Sequence, residues 1–142
     1  MKEISEFIKK HNTLTLATEK NHEVFAAALF YVSVDKGTSL LFVSNPKSDH
    51  IANLEHNHKC AATIQENNLI WENIKGVQIK GEIKIADDKY WNSYLGEFNY
   101  ISESETLTKA MKKVKLYKLK ISWARFIDNA KGFGNKMEQH YT

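Results

Sequence analysis

Leu69-Ile70-Trp71-Glu72-Asn73-Ile74-Lys75-Gly76-Val77-Gln78-Ile79-Lys80-Gly81-Glu82-Ile83-Lys84-Ile85 reads as one long β stretch with Gly76 and Gly81 inside it. Glycine within a strand pattern marks a bulge or a close approach of two backbones. A sheet needs both in order to bend and close into a small barrel. The stretch from about Leu69 to Ile85 is therefore expected to be a single, continuous, kinked strand, and the curvature of the whole fold is read from it.

Working outward, Cys60 to Gln65 forms a fourth strand on the N-terminal side, separated from the glycine strand by a turn at Glu66-Asn67-Asn68. On the C-terminal side Asp87 can cap a helix carrying Tyr90, Trp91, Tyr94, Leu95 and Phe98. Ser102-x-x-Glu105 has the spacing of a capping box for a second helix with Leu107, Ala110 and Met111. Trp91, Tyr94 and Phe98 recur at helical spacing, which reads as core packing rather than a cofactor box. From Val114 to Ile127 apolar and polar residues alternate again, giving a closing strand and leaving Asp128 to Thr142 as a tail.

Toward the start of the chain, Ile4, Phe7 and Ile8 lie on one stripe of a short helix that His11-Asn12 should end. Thr13 to Thr18 alternates with period two, Glu19-Lys20-Asn21-His22 turns the chain, and Val24 to Val34 returns it as a hairpin. Asp35-Lys36-Gly37 supplies the next turn before Leu40-Leu41-Phe42-Val43, a third strand expected to be buried on both faces. Ser44-Asn45-Pro46-Lys47-Ser48-Asp49 then combines N-cap residues with a proline, so a helix carrying Ile51 and Leu54 inward should start there. The sum is a mainly β chain with helical insertions: a small antiparallel barrel of six strands. Barrels of this size fill with their own side chains, so a ligand must bind outside or between subunits.

One proline, no Gly/Ser-rich linker and no repeat leave residues 1–142 as a single domain. Twenty Lys and Arg against 17 Asp and Glu give a net charge of +3, too mild to point to nucleic acid. No apolar run approaches the roughly 18 residues of a membrane helix. Met1-Lys2-Glu3-Ile4 lacks a signal-peptide layout, so the mature chain is expected to start here and to stay in the cytoplasm. The single Cys60 cannot form an internal disulfide and reads as a small core residue in a reducing compartment.

The common nucleotide, zinc-protease and serine-hydrolase motifs are absent, and Gly132-Phe133-Gly134 lacks the third glycine and the βα context of a dinucleotide fingerprint. His50, His56, His58 and Cys60 are near one another in sequence, but a helix-to-strand junction falls among them, so they are read as solvated histidines and no metal is assigned. No residue is singled out as catalytic. The junction after the third strand is different. A helix N-terminus offers free N–H groups to an anion, and Ser44, Lys47, Ser48 and His50 surround this one with hydroxyls and cations. It is a candidate phosphate site, with an ordinarily capped helix as the plainer alternative.

Leu41 to Leu54, followed by Val77-Gln78-Ile79-Lys80-Gly81-Glu82-Ile83, resembles the flavin-binding split barrels related to pyridoxamine-phosphate oxidase. The tail Phe126 to Lys136 is similar to a small, uncharacterised bacterial branch of them. The resemblance implies a homodimer with FMN at the subunit interface. Ser44 would match the phosphate-binding hydroxyl, Ser48 the serine that opens the helix, and His50 a position held by lysine or arginine. Gln78 lies two residues from a flavin-contacting glutamine, whose place Gly76 takes. Trp123 and Phe133, on and after the closing strand, would wall the ring, with packing of the tail across the dimer as the plainer alternative for Phe133, and Lys136 belongs to the same tail motif.

The chain also departs from the family: Ala27 and Val32 replace cations on strand two, Asp49 stands where an arginine would be, and the oxidases' substrate-recognising arginine and histidine are not evident. Pyridoxamine-phosphate oxidase activity is therefore not expected. A flavin-dependent oxidoreductase of unknown substrate is the leading expectation. The alternatives are a non-enzymatic flavin or haem binder and an interaction module with a vestigial pocket.

Overall fold

In the computed structural model, which describes residues 2–67 and 69–142, eight strands form one antiparallel sheet in the order β2-β1-β5-β6-β7-β4-β3, with β8 paired to β7. The strands are β1 (Thr13–Lys20), β2 (Glu23–Phe30), β3 (Val32–Val34), β4 (Ser39–Ser44), β5 (Lys59–Gln65), β6 (Lys75–Ile85), β7 (Lys115–Asp128) and β8 (Lys136–His140). The helices are α1 (Lys2–Lys10), α2 (Asp49–His56), α3 (Trp91–Glu97) and α4 (Glu105–Met111). The sheet curls strongly into a half-barrel, a split β-barrel with helices packed on it. Eight strands replace the expected six because the run Val24 to Val34 breaks at Tyr31 and the tail adds β8. The turn expected at Glu66-Asn67-Asn68 reaches Asn68, which lies outside the described residues, as does Met1 of the expected chain start.

The curvature has a local cause. The β6–β7 register slips between Lys80 and Gly81, so that Lys80 faces Trp123 while Gly81 faces Ile121 and Ser122 is left over. The bulge therefore sits on β7, opposite the glycine rather than on it. It reverses the inward parity of β7, from Tyr117, Leu119 and Ile121 before the slip to Ala124 and Phe126 after it. Ser122 Oγ donates to Lys80 O at 3.1 Å and holds the slip in place. The strand is shorter than expected at its start: residues 71–73 form a 3-10 turn and β6 begins at Lys75.

The barrel interior is packed with side chains from all sides, among them Leu16, Leu40, Phe42, Ile64, Ile79, Leu119 and Ile121. Ile4, Phe7 and Ile8 of α1 join this core as a plug across one end. A second cluster on the outer side gathers Val32, Leu41, Tyr94, Phe98, Ile101 and Leu116 beneath the helical insertion. β4 is thus buried on both faces, with Leu40 and Phe42 in one core and Leu41 in the other. Tyr94 and Phe98 are core residues, in keeping with their spacing.

The second insertion helix is capped by Ser104, not through the expected Ser102 box: Ser104 Oγ accepts from Leu107 N at 3.2 Å, while Ser102 Oγ donates to Asn99 O. Ser104→Ala is expected to cost about 1 kcal/mol in denaturant unfolding, and Ser102→Ala distinctly less. Equal costs for the two would contradict the assignment of the cap.

Candidate functional site

β4 ends at Ser44, and the chain turns sharply at Asn45 before α2 begins at Asp49. The turn is local chemistry. Lys47 N donates to Asn45 Oδ1 at 2.9 Å, and Ser48 N donates to Asn45 O at 3.0 Å. Pro46 lies in this turn, three residues before the helix, so it shapes the approach and does not open the helix. Ser48 occupies the N-cap position with extended backbone (φ −67°, ψ 154°), yet its side chain makes no capping bond. Its hydroxyl instead donates back to Asn45 O at 2.7 Å. The first amides of α2 therefore have no capping acceptor from this chain's own N-cap.

His50 turns inward. It is only 7 % exposed, and its Nε2 lies 2.6 Å from Ser44 Oγ and 3.4 Å from Ser48 Oγ. Ser44 Oγ is in turn 3.2 Å from Ser48 Oγ. These contacts form one directed chain when Nε2–H donates to Ser44, Ser44 to Ser48, and Ser48 to the Asn45 carbonyl. Burial lowers the His50 pKa below its usual value, partly countered by the charge of Asp49. His50 is thus neither the solvated histidine of the plainer reading nor a standing cation at neutral pH.

The expected site residues fall into two groups. Ser44, Ser48 and His50 share one hydrogen-bonded cluster, with Lys47 exposed on the turn above it. Gln78, Phe133 and Lys136 lie elsewhere. Ser44 pairs with Lys115 and Gln78 with Arg125, both on β7, which puts the two groups roughly 33 Å apart along that strand's contour. Within one chain they do not form a single pocket. Val32 is buried in the outer core, and Ala27 is half-buried on β2.

Around Gln78 the structure shows a residue that motif reading passed over. Arg125 is the chain's single arginine. Its guanidinium donates to Glu138 Oε1 of β8, with Nε at 2.8 Å and Nη2 at 2.6 Å, and Nη1 reaches Gln78 Oε1 at 3.5 Å. It also lies 4.9 Å from the ring of Trp123, which Lys80 approaches at 5.0 Å from β6. A chain otherwise reliant on lysine uses arginine where a planar fork is needed, and that was the available signal. Beside this cluster an open groove of about 500 Å³ runs along the outer face, floored by Ala17, Ala61 and Gly81.

Within one chain Trp123 and Phe133 keep different neighbours. Trp123 is engaged by the two cations, whereas Phe133 lies 6.3 Å from Trp71, on the 3-10 turn before β6. Trp71 was passed over because the segment read as strand, where its side chain would have packed on a sheet face.

A curled antiparallel half-barrel with a strand running into a helix N-terminus at its rim is the architecture of the pyridoxamine-phosphate-oxidase-like split barrels. Residues 1–128 match the pyridoxamine 5'-phosphate oxidase family, and the chain belongs to it. A UPF0306 protein of Campylobacter jejuni is 30 % identical over 135 residues, covering 95 % of this chain and 94 % of the relative. Among solved structures, Campylobacter jejuni ChuZ superposes with a TM-score of 0.77 at 20 % identity, over 98 % of this chain and 58 % of that one. This chain thus spans less than two thirds of that protein. A FAD-binding protein of Mesorhizobium loti (TM-score 0.66, 17 % identity, 86 % and 89 % coverage) and the heme storage protein HutZ of Vibrio cholerae (0.66, 17 %, 84 % and 88 %) share the fold. Among the described residues no helix is long and apolar enough to cross a membrane.

Proposed function

We propose that this protein binds FMN between two copies of itself and serves as a flavin-dependent oxidoreductase in the cytoplasm. The observation that carries the reading is the α2 N-terminus: amides without a capping side chain, beside the hydroxyls of Ser44 and Ser48 and the imidazole of His50. The free amides suit a phosphate dianion, and the two hydroxyls would join them by turning out of their internal chain. Ser44, Ser48, His50 and Lys47 of one copy would hold the phosphate. Gln78, Phe133 and Lys136 are too far away in the same chain, so they would come from the second copy. When bound, the flavin supplies the electron-transfer chemistry, and the protein contributes binding and orientation.

Dimerisation has its own support. β2 is an edge strand, and its apolar run Val24 to Phe30 leaves Val24, Phe25 and Phe30 exposed. An apolar edge left open invites pairing with another chain. Membership of the family and the FAD-binding neighbour favour flavin as the ligand. A haem-binding reading draws on the haem storage neighbour and on His140, which is exposed opposite Trp123 on β8. The visible spectrum of the purified protein separates the two.

The test is thermal. FMN is expected to raise the unfolding temperature more than riboflavin at equal concentration, because only FMN carries the phosphate. Equal shifts would remove the phosphate from the α2 junction.

A further inference from the structure

Ile70, Trp71 and Phe133 form an aromatic-rich knob at the end of the sheet where β5 passes to β6 and β7 to β8. They are 63 %, 71 % and 77 % exposed. The knob is built on fixed backbone. Asn129 ties two segments together: its N donates to Ile74 O at 2.9 Å and its Nδ2 to Trp71 O at 3.0 Å on the turn before β6, and its Oδ1 accepts from Gly134 N at 3.1 Å on the loop before β8. Asp128 braces the same loop by accepting from Ala130 N at 3.1 Å. Large apolar side chains held out on a rigid base are the anatomy of a binding anchor.

At the other end of the sheet lies a groove of about 480 Å³ between α2 and the β1–β2 hairpin. Its apolar wall is Val24 and Phe25, 81 % and 41 % exposed, and Ala52 and Asn53 of α2 face them. Glu23 and Asp49 edge it with negative charge, against Lys20 on the hairpin. The knob is flanked by exposed Lys131 and Lys136, which outnumber the one exposed carboxylate beside Trp71, Glu72. Knob and groove thus match in apolar character and in charge, but they cannot meet within one chain. Val24 lies near the start of β2, whereas the knob lies beyond the row through Phe30 and Thr13, roughly 20 Å away along the strand.

We infer that the Trp71–Phe133 knob of one copy seats in the groove between α2 and the β1–β2 hairpin of a second copy. A twofold axis satisfies both pairs at once, since each copy offers one knob and one groove. The inference rests on the dimeric reading above and completes its site. The groove shares Asp49 with the phosphate junction, so the partner's Phe133 and Lys136 arrive beside Ser48. The partner's lysines then offset Asp49, the acidic residue in the first turn of α2.

The test uses exposed positions that leave the core untouched. Val24→Cys, Phe133→Cys and the double variant are treated with a short thiol-specific cross-linker. Cys60 does not compete, since burial pushes its thiol up to about 12. The double variant is expected to yield covalent dimer and each single variant none. Dimer from Val24→Cys alone, or none from the double variant, would overturn the inference. Trp71→Ala/Phe133→Ala is expected to raise the dimer dissociation constant at least tenfold in sedimentation, and an unchanged constant counts against the knob. Flavin plays no part in either readout, so failure of FMN to bind leaves this outcome unaffected.

Discussion

Gly81→Ala is expected to destabilise the fold by about 3 kcal/mol, lowering the unfolding temperature by roughly 6–12 °C for a chain of this size. A Cβ at this position would stand 2.4 Å from Lys120 O and 2.7 Å from Leu119 Cδ2. The first is backbone and cannot swing aside. Relief would have to come from β7 moving away, which opens the bulge at Ser122 and loosens the strand pair on which the half-barrel closes. Gly76 is the internal control. There a Cβ would meet Ile64 O at 2.9 Å and Gln65 Cβ at 3.3 Å, a milder conflict away from the bulge. Gly76→Ala should therefore cost distinctly less in scans at matched protein concentration. A Gly81→Ala protein that unfolds within a degree or two of the parent would show that the close approach does not set the curvature.

The second large effect is a reversal in pH dependence at His50. In the free protein burial holds its pKa below the ordinary value. The unfolded chain then takes up the proton more readily than the folded one. Stability should accordingly be full above about pH 6.5 and decline as pH falls through the folded pKa, with a slope of at most about 1.4 kcal/mol per pH unit from this group. A phosphate dianion at the α2 N-terminus acts in the opposite direction by favouring the imidazolium. Binding of FMN then takes up a proton, so affinity should fall as pH rises, by no more than tenfold per unit.

The useful window runs from about pH 6, below which the phosphate itself gains a proton, to about pH 8. Riboflavin should bind with nearly constant affinity across it. His50→Ala should flatten the FMN curve at the weak end, and His50→Lys should flatten it at the tight end, because lysine keeps its charge throughout. Binding isotherms at four or five pH values decide the matter. Coincident FMN curves for parent and variants would detach His50 from the phosphate.

Much of the architecture was legible in local pattern. The alternation of Thr13 to Thr18 and the apolar stretch from Cys60 read as strands, and both are strands. The glycine at position 81 announced a bulge, although the extra residue proved to be Ser122 on the partner strand. β8 carried no readable signal: Lys136-Met137-Glu138-Gln139-His140 has a single apolar residue and is a strand because β7 offers it an open edge. Residues 69–74 read as strand because they are apolar, but the chain needs them to turn between β5 and β6, and Trp71 is left outside. Ser104 rather than Ser102 caps α4 because a short 3-10 segment, Asn99–Glu103, uses up the residues between the helices.

The same division runs through the site. The sequence by itself determined the strand-to-helix junction at Ser44 to Asp49, the flanking hydroxyls, and the membership of a β fold too small to hold a ligand inside. These depend on periodicity and capping, which act between residues a few positions apart. Only the tertiary structure decided that His50 turns in to Ser44 and that Ser48 leaves the α2 amides without its cap. It also decided that Arg125 joins Gln78 to Glu138, and that Phe133 meets Trp71 instead of Trp123. Those meetings join residues from different strands and turns, or depend on how a side chain is packed. They follow from register, from the one-residue slip at Ser122 and from which surfaces the cores leave exposed, none of which a stretch of neighbouring residues contains.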